Sequence, residues 1–189
     1  MTLDAGIAVG PWGERYFVEG LGVGVFADLL ANPDSEKLKE RPAAVKRGLE
    51  RLREQAMHTE PLEIAARLDD EDISGRYIMF EAITLAYIGP NLHLAQETHP
   101  GDGHFDLVLV TEAERDRLLH YLDDWQENRE RLAVLPSRRG RRLQFEWPGF
   151  ALHIDDKLYP SPKVRPKKIA GLVEARLDDE AVEFLVPAP

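Results

Sequence analysis

The chain has 189 residues, a formal net charge of −10 and no cysteine. This length suits one domain over residues 1–189, the acidic balance argues against a general nucleic-acid binder, and the lack of thiols excludes disulfides and thiolate metal sites. The N-terminal sequence MTLDAGIAVG lacks a basic region and a long apolar core, and no apolar run approaches the roughly 18 residues of a membrane span, so we expect a soluble, cytoplasmic protein.

The first predicted elements are short strands and a glycine-rich segment. Leu3–Val9 and Glu14–Val18 flank the turn signal GPWG, which is typical of two strands joined by a tight turn. Glycine then occurs at every second position, at Gly20, Gly22 and Gly24. No Lys-Ser/Thr pair follows, so the pattern favours close backbone packing over a phosphate-binding loop.

A helix and a strand pair come next. The segment Pro42–Met57 predicts an amphipathic helix whose apolar face repeats every three or four residues. That face consists of Val45, Leu49, Leu52 and Ala56. From Leu62 to Leu68 the apolar period changes to two, which predicts a strand. The acidic run Asp69–Asp72 is interpreted as a solvated turn into a second strand over Tyr77–Phe80.

The stretch from Tyr87 to Val110 contains two turn signals and a buried strand. IGPN and PGDG predict the turns, and the apolar run Phe105–Val110 predicts a strand buried on both faces. Asp102 lies in the second turn. A carboxylate held in a glycine turn can bind a hard cation such as Mg²⁺ or Ca²⁺, and the alternative is that Asp102 only caps the turn.

The rest of the chain predicts a helix and further strands. Thr111 and Glu114 have the spacing of a capping box. The helix after them has the apolar stripe Leu118, Leu119, Leu122 and Trp125. The alternating segments Leu143–Trp147 and Phe150–Ile154, separated by Pro-Gly, predict a hairpin, and Leu172–Leu177 with Ala181–Val186 predict a last strand pair. The pattern is mostly β and predicts an antiparallel sandwich or an open barrel.

Several segments resemble, in the same order along the chain, the C-terminal domain of bacterial diacylglycerol kinases and their sphingosine-kinase-like relatives. The family's A-P-x-A segment and the D-G-x-L-D-V motif after it are similar in spacing to Ala95, Asp102, Gly103 and Asp106, although Gln96 and Thr98 replace the Pro and the second Ala. The glycines at 20–24 resemble a glycine turn near the opening of that domain. Phe150–Asp156 resembles the segment that ends in IDGE, and Phe184–Pro187 resembles the closing strand.

The resemblance implies an antiparallel β-sandwich with two or three peripheral helices. It also implies a lipid-acceptor domain related to ATP-dependent phosphoryl transfer to a lipid hydroxyl. The family's GGDGT nucleotide loop is absent from this sequence, so ATP would act only through a separate nucleotide-binding partner. The family cation site implies Mg²⁺ or Ca²⁺ bound by the Asp102 side chain and the backbone carbonyls of His99 and His104. A zinc cluster of these two histidines with His93 is the less favoured alternative.

The family's catalytic acid is carried over to Asp155, with Lys157 in place of the family glutamate. A protonated lysine cannot accept the proton of a lipid hydroxyl, so Asp155 or Asp156 remains as the candidate base. We expect the charge of Lys157 to weaken Asp155 as a base. The alternatives are a non-catalytic lipid- or protein-binding module, and an enzyme of another chemistry, for which no nucleophile–base pair is evident. Basic clusters at 138–142 and 163–168 could meet anionic headgroups, or be ordinary solvated turns.

Overall fold

We describe the protein from a computed structural model, within which residues 2–32, 41–95, 98–127, 132–161, 170–178 and 182–183 are described. The strands are β1 (Thr2–Leu3), β2 (Gly6–Gly10), β3 (Gly13–Phe17), β4 (Gly20–Gly24), β5 (Leu62–Ile64), β6 (Ala66–Leu68), β7 (Glu71–Asp72), β8 (Gly75–Ile83), β9 (Phe105–Thr111), β10 (Ser137–Gly140), β11 (Arg142–Trp147), β12 (Leu152–Ile154), β13 (Lys157–Tyr159), β14 (Gly171–Leu177) and β15 (Val182–Glu183). The helices are α1 (Val25–Ala31), α2 (Arg41–His58) and α3 (Arg115–Gln126), with a 3-10 turn at Glu112–Glu114.

Two antiparallel sheets form a sandwich. One sheet has the order β10-β9-β8-β4-β12-β13, with β5 also paired to β8, and the other has the order β3-β2-β14-β11-β6-β7. The short strands β1 and β15 pair with each other. This architecture confirms the predicted mostly β fold, an antiparallel β-sandwich with peripheral helices.

The main core lies between the two sheets, where strands from both contribute alternate side chains. Phe80 of β8 packs edge-on against Phe145 of β11, with ring centroids 5.5 Å apart. Trp147 is buried in the same layer and meets Trp12 edge-on at 5.2 Å. The aromatic side chains therefore join the sheets, as expected for a sandwich whose inner faces interdigitate.

The helices cover the outer face of the seven-stranded sheet and create a second core. The predicted helix over 42–57 is confirmed as α2, with Leu49, Leu52 and Ala56 buried. Arg53 of α2 donates to Asp123 of α3 at 2.6 Å, which ties the two helices together. The capping box is also confirmed, since the backbone N–H and the hydroxyl of Thr111 both donate to Glu114.

The predicted hairpin over 143–154 is wrong. The strand β11 pairs with β14 and β6 in the six-stranded sheet, whereas β12 pairs with β13 and β4 in the other sheet. The chain crosses between the sheets at the Pro-Gly turn, where the Trp147 indole N–H donates to the Phe150 carbonyl at 2.9 Å. Alternation of apolar residues reports one buried face, and both strands bury that face in the shared core without being neighbours.

Two other predicted strand arrangements need correction. The strand over 62–68 is divided, because β5 joins the seven-stranded sheet and β6 the six-stranded one. The predicted last pair is absent among the described residues, since β14 pairs with β11 and β2, and β15 pairs with β1. The segment Phe184–Pro187, which was predicted to close the domain, lies outside the described residues, as does the basic cluster at 163–168.

Among the helices that are described, none has the length and apolar character needed to cross a membrane.

Candidate functional site

The glycines of β4 lie at the centre of the candidate site. In the seven-stranded sheet, Gly22 is directly opposite Glu81 of β8 on one side and His153 of β12 on the other. A Cβ at Gly22 would lie 1.9 Å from the Glu81 Oε2 atom. The prediction of close packing at these glycines is therefore confirmed, and its cause is that the Glu81 side chain passes over β4 to reach His153.

Glu81 and His153 form a buried pair on the helix-covered face of the sheet. Glu81 is 0% exposed and His153 is 6% exposed. The ring Nε2 atom of His153 is hydrogen-bonded to Glu81 Oε2 at 2.9 Å and lies 2.8 Å from Oε1. The Oε1 atom itself has no hydrogen-bond partner among the described residues. A buried polar atom in this state is uncommon, because leaving it without a donor costs free energy.

The hydrogen-bond partners assign the protons of this pair. The other ring nitrogen of His153, Nδ1, is 3.0 Å from the backbone carbonyl of Asp155, which can only accept, so Nδ1 carries a hydrogen. A further proton must lie between Nε2 and Glu81, because two unprotonated acceptors would repel each other there. The pair is therefore neutral overall, either as imidazolium and carboxylate or as imidazole and carboxylic acid.

The environment favours retention of this proton. Burial raises the pKa of the Glu81 carboxyl above its usual value, and the attraction of His153 only partly offsets that shift. Burial acts to lower the pKa of His153, but the charge and hydrogen bond of Glu81 outweigh it, so the net direction is upward. Both groups therefore hold protons to higher pH than they would in water.

A cavity of about 220 Å³ opens beside this pair. Its walls are largely apolar and are provided by α1 and by the turn at 88–90. The apolar wall residues are Phe26, Leu29, Leu30, Ile88 and Pro90, and the acidic residues at the rim are Glu19, Asp155 and Asp156. Because a water molecule occupies about 30 Å³ of liquid, the space equals about seven waters and suits a small headgroup with the first carbons of an attached chain.

The turn at 88–90 is held against the segment that joins β3 to β4. The turn is confirmed as predicted, with Asn91 at φ 64° and an isolated bridge between Ile88 and Leu92. The backbone N–H of Gly89 donates to the Glu19 carboxylate at 2.5 Å. The wall of the cavity is thus fixed to the segment that joins β3 to β4.

Asp155, the predicted catalytic residue, lies at the rim of the cavity in the turn between β12 and β13. Its carboxylate accepts the backbone N–H groups of Val18, Glu19 and Gly20 at 2.9 to 3.3 Å. These bonds make Asp155 the cap of the segment between β3 and β4. Oδ1 accepts all three N–H groups, whereas Oδ2 accepts only that of Val18 at 3.2 Å, so Oδ2 has the greater capacity for a further hydrogen bond.

The predicted action of Lys157 on Asp155 needs correction. The expectation assumed that the strand continues through both residues, but residues 155 and 156 form the turn and Asp155 has a positive φ of 48°. The Lys157 ammonium group instead donates to Asp156 at 2.7 Å, with both side chains exposed. The two charges neutralise each other at the surface.

Asp102 lies in a different part of the sandwich from the cavity. Its carboxylate binds the Arg139 guanidinium of β10 and accepts the backbone N–H of His104 at 3.0 Å. The backbone N–H groups of Gly101 and Gly103 donate to the buried Asp4 carboxylate. The backbone N–H groups of the turn therefore point towards the buried Asp4, and the Arg139 guanidinium takes the position beside Asp102 that a metal cation would need.

Asp102 is not part of a described cluster of metal-ligating side chains. Within the described ranges, no group of three His, Asp or Glu side chains is placed to hold a metal ion. His93, from the zinc alternative, stacks on Tyr87 with ring centroids 5.1 Å apart. A Mg²⁺ or Ca²⁺ ion at Asp102, with the carbonyls of His99 and His104, remains a prediction that requires displacement of Arg139.

Sequence reasoning missed the buried pair. The alternating glycines were interpreted correctly as a site of close approach, but nothing in the local pattern identified the side chain that approaches. Glu81 lies within a run of buried apolar residues at the end of the strand GRYIMFEAI, and His153 lies between two apolar residues. An acid and a histidine at strand positions that should be buried are the signal that could have found the site.

The fold is similar to solved structures. One is described as a "putative diacylglycerol kinase from Bacillus anthracis str. Sterne", with a TM-score of 0.60 and 10% identity over 94% of this chain and 54% of that chain. Another, described as a diacylglycerol kinase from the same organism, has a TM-score of 0.56 and 12% identity over 94% and 54% of the two chains. This chain spans about half the length of those proteins. No family model matches it, and neither does any curated protein.

Proposed function

We propose that the chain is a lipid-binding domain of the diacylglycerol-kinase type, which holds a hydroxyl-bearing lipid in the cavity beside Glu81 and His153. The likeness in fold to structures described as diacylglycerol kinases supports this proposal. The observation that carries it is the cavity itself, which combines apolar walls with a buried polar floor. An amphiphile with a small polar headgroup matches that division of surfaces.

Within this proposal each wall has a separate role. Phe26 and Leu29 would contact the carbons next to the headgroup, and Leu30, which is 36% exposed, would meet the chain as it leaves the mouth. The Glu81–His153 pair would face the headgroup. The volume is too small for a whole glycerolipid, so the acyl chains would extend outward to solvent or to a membrane.

ATP would take part only through a separate nucleotide-binding partner, which would supply the transferable phosphoryl group. Asp155 is one of the acids that line the cavity, and its carboxylate already caps the backbone N–H groups of residues 18–20. The engagement of Asp155 favours the second candidate function, a non-catalytic lipid-binding module with this fold. In both cases the chain alone is expected to be inactive as a kinase.

Binding is tested by titration calorimetry with dioctanoylglycerol below its micelle concentration. The native chain should bind, and Leu30→Glu should weaken binding at least about tenfold, because a charge at the mouth opposes entry of an apolar chain. Val134→Glu is the matched control, since Val134 is 50% exposed and does not line the cavity. Absence of binding by the native chain, or equal losses in both variants, contradicts the proposal.

A radiolabel assay separates the two candidate functions. The native chain with Mg-ATP should give no phosphorylated lipid, and the assay is repeated with a nucleotide-binding domain of a diacylglycerol kinase added as a second chain. Product formation supports the acceptor-domain function, whereas lipid binding without product supports the binding module. Lys157→Glu should not change either result, because Lys157 pairs with Asp156.

A further inference from the structure

One oxygen of the Glu81 carboxylate, Oε1, accepts no hydrogen bond from the described residues, although it lies 2.8 Å from the Nε2 atom of His153. Oε2 receives the hydrogen bond of His153, and Oε1 receives none from the described residues although the side chain is fully buried. Glu81 also lines the cavity. Gly20, which also lines the cavity, approaches this atom closely, since a Cβ there would lie 3.2 Å from Oε1 and 2.9 Å from the backbone oxygen of Ala82. The site thus offers a fixed acceptor, because the nearby Nε2 donor of His153 is hydrogen-bonded to the other oxygen.

We propose that Glu81 Oε1 is the recognition atom of the cavity and accepts a hydrogen bond from an uncharged hydroxyl group of the ligand, with His153 as the residue that positions the carboxylate. This inference rests on the proposed lipid-binding function, and it names the chemical group that the site selects. An ether or ester oxygen, which can only accept, would leave Oε1 without a donor and would add a repulsive contact.

The charges around the cavity favour an uncharged group over a phosphate. The buried pair is neutral overall, and a further charge beside it would be desolvated without compensation. The rim residues Glu19 and Asp155 are acidic, and Lys157 is already paired with Asp156. A phosphate monoester would therefore meet negative charge at the rim and a carboxylate at the floor.

The neutral overall charge of the buried pair also indicates that Glu81 binds the hydroxyl group of the ligand and does not remove its proton. If the pair in its imidazolium–carboxylate form accepted the proton of the hydroxyl, a buried imidazolium would remain beside a neutral carboxylic acid. That state carries an uncompensated buried charge. Glu81 can hold the hydroxyl through its lone pair, and the proton of that hydroxyl would have to leave by another group.

The test compares two ligands in each variant, so that a loss of stability cancels. The ligands are dioctanoylglycerol and the same diester with its free hydroxyl replaced by hydrogen. In the native chain the hydroxyl form should bind about tenfold more tightly or better, as expected for a hydrogen bond to a charged acceptor. In Glu81→Leu the ratio should fall to about one, and in Glu81→Gln, which keeps a neutral acceptor, it should be intermediate. Glu146→Leu, which makes the same change at an exposed position of β11, should keep the native ratio.

The outcomes are distinguishable. If the native chain binds both diesters equally, the role of Glu81 is refuted while lipid binding stands; if it binds neither, the proposed function fails and this inference fails with it. An unchanged ratio in Glu81→Gln also refutes the role, and this variant decides the matter if Glu81→Leu does not fold. Tighter binding of dioctanoyl phosphatidic acid than of dioctanoylglycerol refutes the selection of an uncharged group.

Discussion

Replacement of Gly22 by alanine tests the most unusual contact in the protein. The added Cβ would lie 1.9 Å from Oε2 and 2.5 Å from Cδ of Glu81, and 2.7 Å from the backbone oxygen of Phe80. The carboxylate can swing away, whereas the backbone oxygen belongs to a central strand, so its short contact with the added Cβ remains as strain. The carboxylate would leave His153, and both polar groups would remain buried without their partner.

The expected cost follows from these two effects. Overpacking in a core costs about 1–3 kcal/mol, and separation of a buried ion pair costs about 3–5 kcal/mol. Since the two effects share one movement, we expect Gly22→Ala to lower the free energy of unfolding by about 3–5 kcal/mol. For a protein of this size, that change lowers Tm by roughly 6–20 °C.

Urea unfolding followed by circular dichroism measures this change, with two controls. Gly13→Ala places a methyl group in open space at φ 88°, so it should show only the backbone strain of about 1–2 kcal/mol. In a Glu81→Ala background, Gly22→Ala should cost about 2 kcal/mol less, because the carboxylate is no longer in the way. If Gly22→Ala costs no more than Gly13→Ala, and costs the same in both backgrounds, the carboxylate does not occupy the space over β4.

Three other predictions follow from the charged groups. The pKa of Glu81 and that of His153 are both raised on folding, so these two groups contribute to the free energy of unfolding at low pH. This contribution should be lost as the pH rises from above 4.5 through the folded pKa of His153. Urea unfolding across this range should show the loss in the native chain and should not show it in a Glu81→Gln/His153→Gln variant. Asp155→Ala should lower the free energy of unfolding by about 1–3 kcal/mol, because three backbone N–H groups lose their acceptor, and an effect within error of zero contradicts the capping role. Millimolar Mg²⁺ or Ca²⁺ should raise Tm more in Arg139→Ala than in the native chain and not at all in Asp102→Ala; equal shifts in all three would place any bound ion elsewhere.

The sequence was informative wherever a pattern is local. The helix α2 and the capping box at Thr111 depend on residues within a few positions of one another, and both were predicted correctly. The partners of β11 and β12 could not be predicted in this way, because apolar alternation marks a buried face and does not specify the neighbouring strand. The Pro-Gly turn between them suits a crossing between sheets as well as a hairpin.

The candidate site shows the same division. The glycine pattern around Gly22 indicated a close approach, and Asp155 was placed correctly at the end of a strand. The pairing of Glu81 with His153 joins residues 72 positions apart, and only the register of three strands brings them to opposite sides of Gly22. Likewise, the contact of Asp102 with Arg139 depends on β10 lying beside β9, which no local pattern reports.

The outermost strands of the two sheets carry opposite charges on one side of the sandwich. The edge strand β10 presents Arg138 and Arg139, and the edge strand β7 consists of Glu71 and Asp72. Arg138 binds Glu71, so the two open edges are fastened to each other by side chains. A strand from another molecule could pair with β10 only after separating this ion pair and approaching exposed guanidinium groups. The ion pair thereby protects these two edges against edge-to-edge aggregation.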